Sequence, residues 1–326
     1  MNLPRRKFMQ LAGGLVTLPV VSPLARGQAY PTRPIALVAP IAAGGAVDTA
    51  ARIIAEELQH KLQQSVVVEN RPGAGTIIGT NFVAKAAPDG YTLLLMQLAS
   101  VLAKWLNKTV PFDVTSDFSA IAMVADSPLV LFAQSSLAFQ DLKELIAYSR
   151  ANPRRLLVGT PGVGTPHHLA AAWLNAAAKI DITHVPYRGT APALNDLLAG
   201  QIPLIWASPV AVMPFVEQGK VKMLAVSTQK RDRMLPQVPT VSESGVPGFH
   251  TSNWFGVVAP ARVSSEVVTR VASAIRESAE LPDVQTRMST LGFNLDFRTS
   301  DQFHELIIGD YQKFGAIIRE AGIQPE

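Results

Sequence analysis

Twice in this chain a short apolar run ends in glycines and gives way to an amphipathic stretch: "PIALVAPIAAGGAVDTAARIIAEELQHKL" from Pro34, and "RLLVGTPGVGTPHHLAAAWL" from Arg155. A strand, a tight glycine turn and a helix make half of a strand–helix–strand crossover, and repeated crossovers build a sheet covered by helices on both faces. The first set continues through "SVVVE" and "YTLLLM", which read as strands, with helices over 47–62 and about 76–86, so a parallel sheet is expected. A second set follows: strands "PLVLFA", "RLLVG", "ITHV", "IPLIWA" and "VKMLAVST", with helices near 142–151, 166–178, 191–199 and 212–218. After the Pro- and Gly-punctuated "LPQVPTVSESGVPGF" come a strand "WFGVVAP" and two amphipathic helices over 264–278 and 300–321. Those last helices need an apolar surface, and the first sheet supplies one. The chain is therefore expected to cross between two α/β units near Ala125 and to return near Asn253, leaving a cleft between two lobes. Its 326 residues, 48% hydrophobic, exceed the usual size of one domain and suffice for two cores. The expected division is 30–125 with 254–326 as domain 1, and 126–253 as domain 2.

The first 29 residues read as an export signal: Arg5, Arg6 and Lys7, an apolar segment from Phe8 to Val21, and small residues at Gly27 and Ala29. Arg5-Arg6 fits the twin-arginine pattern and equally an ordinary secretory signal. The apolar segment is shorter than the roughly 20 residues a membrane helix needs. A mature chain starting near Tyr30 and residing in the periplasm is expected. The 29 basic and 25 acidic residues give a formal charge of +4, but four of the basic ones precede Tyr30, so the remainder balances at 25 of each. That balance offers no basic stripe for nucleic acid. Without cysteine there is no disulfide, thiolate metal site or thiol nucleophile.

In open α/β sheets ligands sit beyond the carboxyl ends of strands, where glycine lets the backbone come close and a helix start offers unpaired N–H groups. Gly44 and Gly45 fit that role, and equally a tight turn with nothing bound. Asp48 lies in the first helical turn, where a carboxylate is favourable. In the second loop, Gly162-Val163-Gly164 is no dinucleotide fingerprint, because His167 stands where a small residue is needed, and the Lys-Ser/Thr ending of a phosphate loop is missing. Thr165 can cap the helix or face a ligand, and Pro166 suits the first helical position. His167 and His168 point about 100° apart on a helix and cannot easily share a metal. Tyr187 and Arg188 read as a turn supporting a strand end, or as an attraction for an acidic ligand. Ser208 lies at another strand end. A hydrolase would be expected to carry Gly-x-Ser-x-Gly, which is absent.

The motifs "PIAAGGAVD", "VVVENRPGAGTIIGTNFVAKAAPDGYTLLL", "PFDVTSDF", "VPYRGTAPALNDLLAGQI", "GKVKMLAVS" and "PTVSESGVPGF", in that order, resemble the Bug family, the exported solute receptors of tripartite tricarboxylate transporters. The resemblance implies a two-lobed α/β fold of the periplasmic-binding-protein type II, two crossing strands, a ligand in the cleft, closure on binding and no catalysis. It carries ligand contact onto Ile41, Ala43, Gly44, Gly45, Asp48, Ser100, Gly162, Gly164, Thr165, His168 and Ser208. The chain departs from the pattern at Ile41, where relatives commonly have an aromatic, at Ala46, and through "LMQLASVLAKWL". It implies a small carboxylate ligand, transporter membrane subunits as partners, no cofactor, no metal, and a monomer. An orphan receptor or sensor on the same fold is the alternative, and an exported hydrolase a more distant one.

Overall fold

The computed structural model describes residues 30–44 and 46–325, so the export signal and Gly45 lie outside the described residues. The chain opens with β1 (Ile35–Ala39), α1 (Ala46–Leu62), β2 (Val66–Asn70), α2 (Ile77–Ala84), β3 (Thr92–Gln97), α3 (Leu98–Leu106) and β4 (Phe118–Asp126). It continues with β5 (Val130–Gln134), α4 (Leu142–Ala151), β6 (Leu157–Thr160), α5 (Pro166–Ala178), β7 (Thr183–Pro186), α6 (Thr190–Leu198), β8 (Leu204–Ala207), α7 (Met213–Glu217) and β9 (Val221–Val226). It ends with β10 (Phe255–Pro260), α8 (Ser265–Ala279), α9 (Pro282–Thr290), β11 (Asn294–Arg298) and α10 (Ser300–Glu320).

Two sheets result, one ordered β11-β4-β10-β3-β1-β2 and the other β7-β6-β8-β5-β9. The three strands read as a parallel set do run parallel, while each whole sheet is mixed. β1 runs parallel to β2 and β3, but β10 is antiparallel to β3 and β4. The reason is the route of the chain: it leaves the first sheet along β4 and comes back beside it along β10, and neighbours running out and back must oppose. In the second sheet β6 is parallel to β7 and β8, while β5 opposes β8 and β9. Where the two crossing segments meet, Ser127 and Asn253 exchange backbone hydrogen bonds of 3.1 and 2.9 Å.

Strand alternation sends successive side chains to opposite faces. In the first sheet Leu37, Leu93, Leu95, Phe255 and Val257 pack with Ile54 and Leu58 of α1 and Val271 and Ile275 of α8. Val38, Leu94, Met96 and Val258 pack on the other side with α3 and α10. The second sheet buries Leu131, Val158 and Leu204 against α4 and α5, and Phe132 and Ile205 against α6. The lobes also touch directly. Leu169 of α5, in the second lobe, is fully buried in the cluster that holds Leu102 and Phe314 of the first. Trp173, one turn on, stacks on Phe249 at 4.3 Å and meets Phe314 edge-on at 6.2 Å.

Candidate functional site

The carboxyl ends of β1 and β6 carry the two glycine loops, each leading into a helix. In the first loop Gly44 has φ +92° and nothing within 4 Å of where a Cβ would stand. Its N–H donates to Asp48 Oδ2 at 2.9 Å. The Asp48 carboxylate is buried, 3% exposed, and also receives Asn70 Nδ2 at 2.8 Å and the Arg52 guanidinium at 3.1 and 3.2 Å. Asn70 Nδ2 reaches the Ile41 carbonyl as well, at 3.3 Å. Burial pushes the Asp48 pKa up, but the Gly44 N–H, the Asn70 amide and Arg52 outweigh it and hold the carboxyl below its usual range. Asp48 thus braces the loop from beneath. Arg52 reaches the loop, and Asp48 and Asn70 engage its Nε and Nη2.

The second loop is braced by a ring. Gly164, at φ +74°, donates its N–H to His168 Nδ1 at 3.1 Å. Thr165 caps α5, accepting from His168 N at 3.3 Å and donating to the Gly162 carbonyl at 2.8 Å. His168 stacks on His184 with ring centroids 4.0 Å apart, and His184 Nε2 lies 2.7 Å from Thr160 Oγ1 at the end of β6. Because His168 Nδ1 accepts, its proton sits on Nε2 and the ring is neutral. Burial, reinforced by His184, pulls the His168 pKa down to about 4, and burial alone does the same for His167. His167 Nε2 lies 3.5 Å from Ser208 Oγ, the outer limit of a hydrogen bond.

These depressed pKa values fix a pH dependence. The unfolded chain protonates its histidines near pH 6.5, whereas folded His167 and His168 resist until about 4, so the unfolded state binds more protons in between. Stability is fully present above about 6.5 and declines as pH falls toward 4. Thermal unfolding should show a loss on the order of 2 kcal/mol between pH 6.5 and 5, and the doubly substituted His167→Gln, His168→Gln protein should lose less over that span. A wild-type Tm flat across the window would refute the assignment.

Ser100 lies inside the fold, beneath the loop that follows β2. It is fully buried, accepting from Thr80 at 3.1 Å and donating to Thr76 at 3.0 Å, so it supports the loop after β2 from inside. Thr76 itself has φ +87°. Ile41 is partly buried against the first core and Ala43 is exposed at the loop rim. Tyr187 donates its hydroxyl to Asp196 at 2.7 Å, the supporting role. Four bracing residues escaped the sequence reading: Asn70, Arg52, Thr160 and His184. A polar Asn at the end of an apolar strand, just before Arg-Pro-Gly, was the available signal for the first. Among the described residues no group of three acidic or histidine side chains is placed to hold a metal, and no helix is long and apolar enough to cross a membrane.

The Gly44 and Gly164 N–H groups are thus engaged by Asp48 and His168, and each loop carries further glycine-rich backbone at a helix start, one on each lobe. Two α/β lobes joined by two crossings, with such loops at their strand ends, define the class of periplasmic binding proteins. The chain belongs to the family described as "Tripartite tricarboxylate transporter family receptor", which matches residues 50–323. It is 36% identical over 321 residues to the "UPF0065 protein in tcbD-tcbE intergenic region" of Pseudomonas sp. (strain P51), covering 98% of this chain and 95% of that one. It is 34% identical over 310 residues to protein BugT of Bordetella pertussis, covering 94% and 95%. Among solved structures, the periplasmic binding protein BugD is similar at 34% identity and TM-score 0.73, covering 91% of this chain and all of that one. An R. palustris protein with adipate aligns at 31% identity and TM-score 0.77, with 91% and 100% coverage. MatC from Rhodopseudomonas palustris, with bound malate, aligns at 31% and 0.73, with 89% and 100% coverage. The chain is therefore a solute-binding receptor by family.

Proposed function

We propose that this receptor works in the periplasm, captures a small mono- or dicarboxylate between its lobes, and delivers it to the membrane subunits of a tripartite tricarboxylate-type transporter. One observation carries the reading: the loops at Gly44 and at Gly162 to Gly164 each present backbone at a helix start, and neither contains a basic side chain. Helix starts favour anions, and a carboxylate held by main chain and water needs no arginine fork. The relatives solved with adipate and malate support the same ligand class. In this reading domain 1 spans 30–125 with 254–326, domain 2 spans 126–253, and the ligand contacts Ile41, Ala43, Gly44, Gly45, Gly162, Gly164 and Ser208, with Asp48, Ser100, Thr165 and His168 acting behind them.

The test is a thermal-shift and calorimetric screen with carboxylates of two to eight carbons, alongside sugars, amines and metal cations. Stabilisation by carboxylates is expected, and binding confined to sugars or cations would overturn the proposal. Asp48→Ala should weaken carboxylate binding by about 2 kcal/mol, since Gly44 N–H, Asn70 and Arg52 all lose their acceptor and the loop loses its brace. Calorimetry on Asp48→Ala beside Asp48→Asn checks it. Equal affinity in Asp48→Ala and wild type would remove the brace from the account.

A further inference from the structure

Gln97 closes β3 at its carboxyl end, and it is 7% exposed. Its Nε2 is buried and has no hydrogen-bond partner. A buried donor without an acceptor forfeits its hydration and gains nothing in return, so such an amide in a well-packed sheet calls for a reason. The pairing fixes where the side chain points. Gln97 stands opposite Phe255 and Leu95 opposite Val257, and Leu95, Phe255 and Val257 all belong to the core under α1. Gln97 therefore projects on the α1 face, one step beyond Leu95. Val38 is level with Leu94 on the neighbouring parallel strand, so the chain leaving β1 toward the first glycine loop emerges at the same edge of the sheet as Gln97. The amide thus lies at the carboxyl edge of the sheet, between the first glycine loop and the crossing strand that returns through Trp254. That edge is where an open α/β sheet meets its ligand.

We propose that Gln97 is a ligand-reading residue of the cleft: its Nε2–H donates to a carboxylate oxygen of the bound solute, giving the floor of the site a side-chain donor that the glycine loops lack. The inference rests on the carboxylate reading above.

The experiment is calorimetry with succinate, malate and adipate on wild type, Gln97→Met and Gln97→Glu. Gln97→Met keeps the length and removes the donor. It should bind about tenfold more weakly while its Tm holds or rises, because an unsatisfied buried donor has been replaced by an apolar group of similar shape. Gln97→Glu should bind more weakly still at pH 7.5, where carboxylate faces carboxylate, and should recover relative to wild type as pH falls and its carboxyl gains a proton. In wild type, the side-chain amide resonances missing from the Gln97→Met spectrum should shift on saturation with the tightest of the three. Wild-type binding of a probe that Gln97→Met matches within twofold, or amide resonances that stay still on saturation, overturns this proposal alone. Failure of wild type to bind any of the three overturns the carboxylate reading and this proposal with it.

Discussion

Gly164→Val is expected to weaken carboxylate binding by about two orders of magnitude and to leave the fold standing. Gly164 has φ +74°, the left-handed region, where a β-branched residue is most strained. A Cβ there would also stand 3.1 Å from Leu106 Cδ1, so the added branches must push the end of that side chain aside on the side of α3. The backbone must rotate out of the left-handed region, and the N–H now aimed at His168 Nδ1 turns with it. Restoring the binding conformation then costs backbone strain of about 1–2 kcal/mol and overpacking against Leu106 of at least about 1 kcal/mol, together near 3 kcal/mol, which is roughly a hundredfold in affinity. Gly44 supplies the comparison. It shares a positive φ, +92°, but a Cβ meets nothing within 4 Å, so Gly44→Ala carries strain without crowding and should bind better than Gly164→Val. Calorimetry on the two variants decides the matter. Wild-type affinity in Gly164→Val would show that the second loop does not hold the solute.

Those two glycines were legible because a glycine pair between a strand and a helix has few purposes. Their supports were not. Asn70 lies 22 residues from Asp48, and His184 lies 24 residues from Thr160, so the ring that holds each loop exists only once the sheet has closed. Helix ends with strong local chemistry were read correctly: α4 begins after Asp141, which caps it, and α5 after Thr165 and at Pro166. α3 was not read as a helix because "LASVLAKWL" is only nine residues long, follows β3 without a break and has no capping side chain to mark its start. β11 was missed for a different reason. All five residues of "NLDFR" are half-buried at a sheet edge, so no alternation marks them. The mixed direction of the sheet is a property of the route between lobes, and hydrophobic pattern does not encode strand direction. Gln97 stood inside a stretch already noted as departing from the family, yet only the register reveals which face its amide takes.

Leu169→Ala should have the largest effect on stability of any change considered, and its effect should be felt between the lobes. Leu169 follows the second glycine loop by one helical turn, on the helix that the loop caps, and is fully buried. Its neighbours, however, belong to the other lobe: it shares a cluster with Leu102 of α3 and Phe314 of α10. Trp173, four residues on, lies along the same face and touches Phe314 at 6.2 Å. Leu169 and Trp173 therefore fix where α5, and with it the Gly162 to Gly164 backbone, stands relative to the first sheet. Truncating a fully buried leucine costs about 2–5 kcal/mol, more where the surroundings cannot collapse. Here the space would open between two lobes, which can relax by swinging apart about the crossings at Ser127 and Asn253. The expected result is a loss of about 3 kcal/mol in denaturant unfolding together with a larger radius of gyration by solution scattering. Carboxylate at saturation should restore part of the compactness, since a solute touching both lobes favours the closed arrangement by its differential affinity. A stability loss with an unchanged radius of gyration would mean that Leu169 serves the core of one lobe only and that the position of the second loop is set elsewhere.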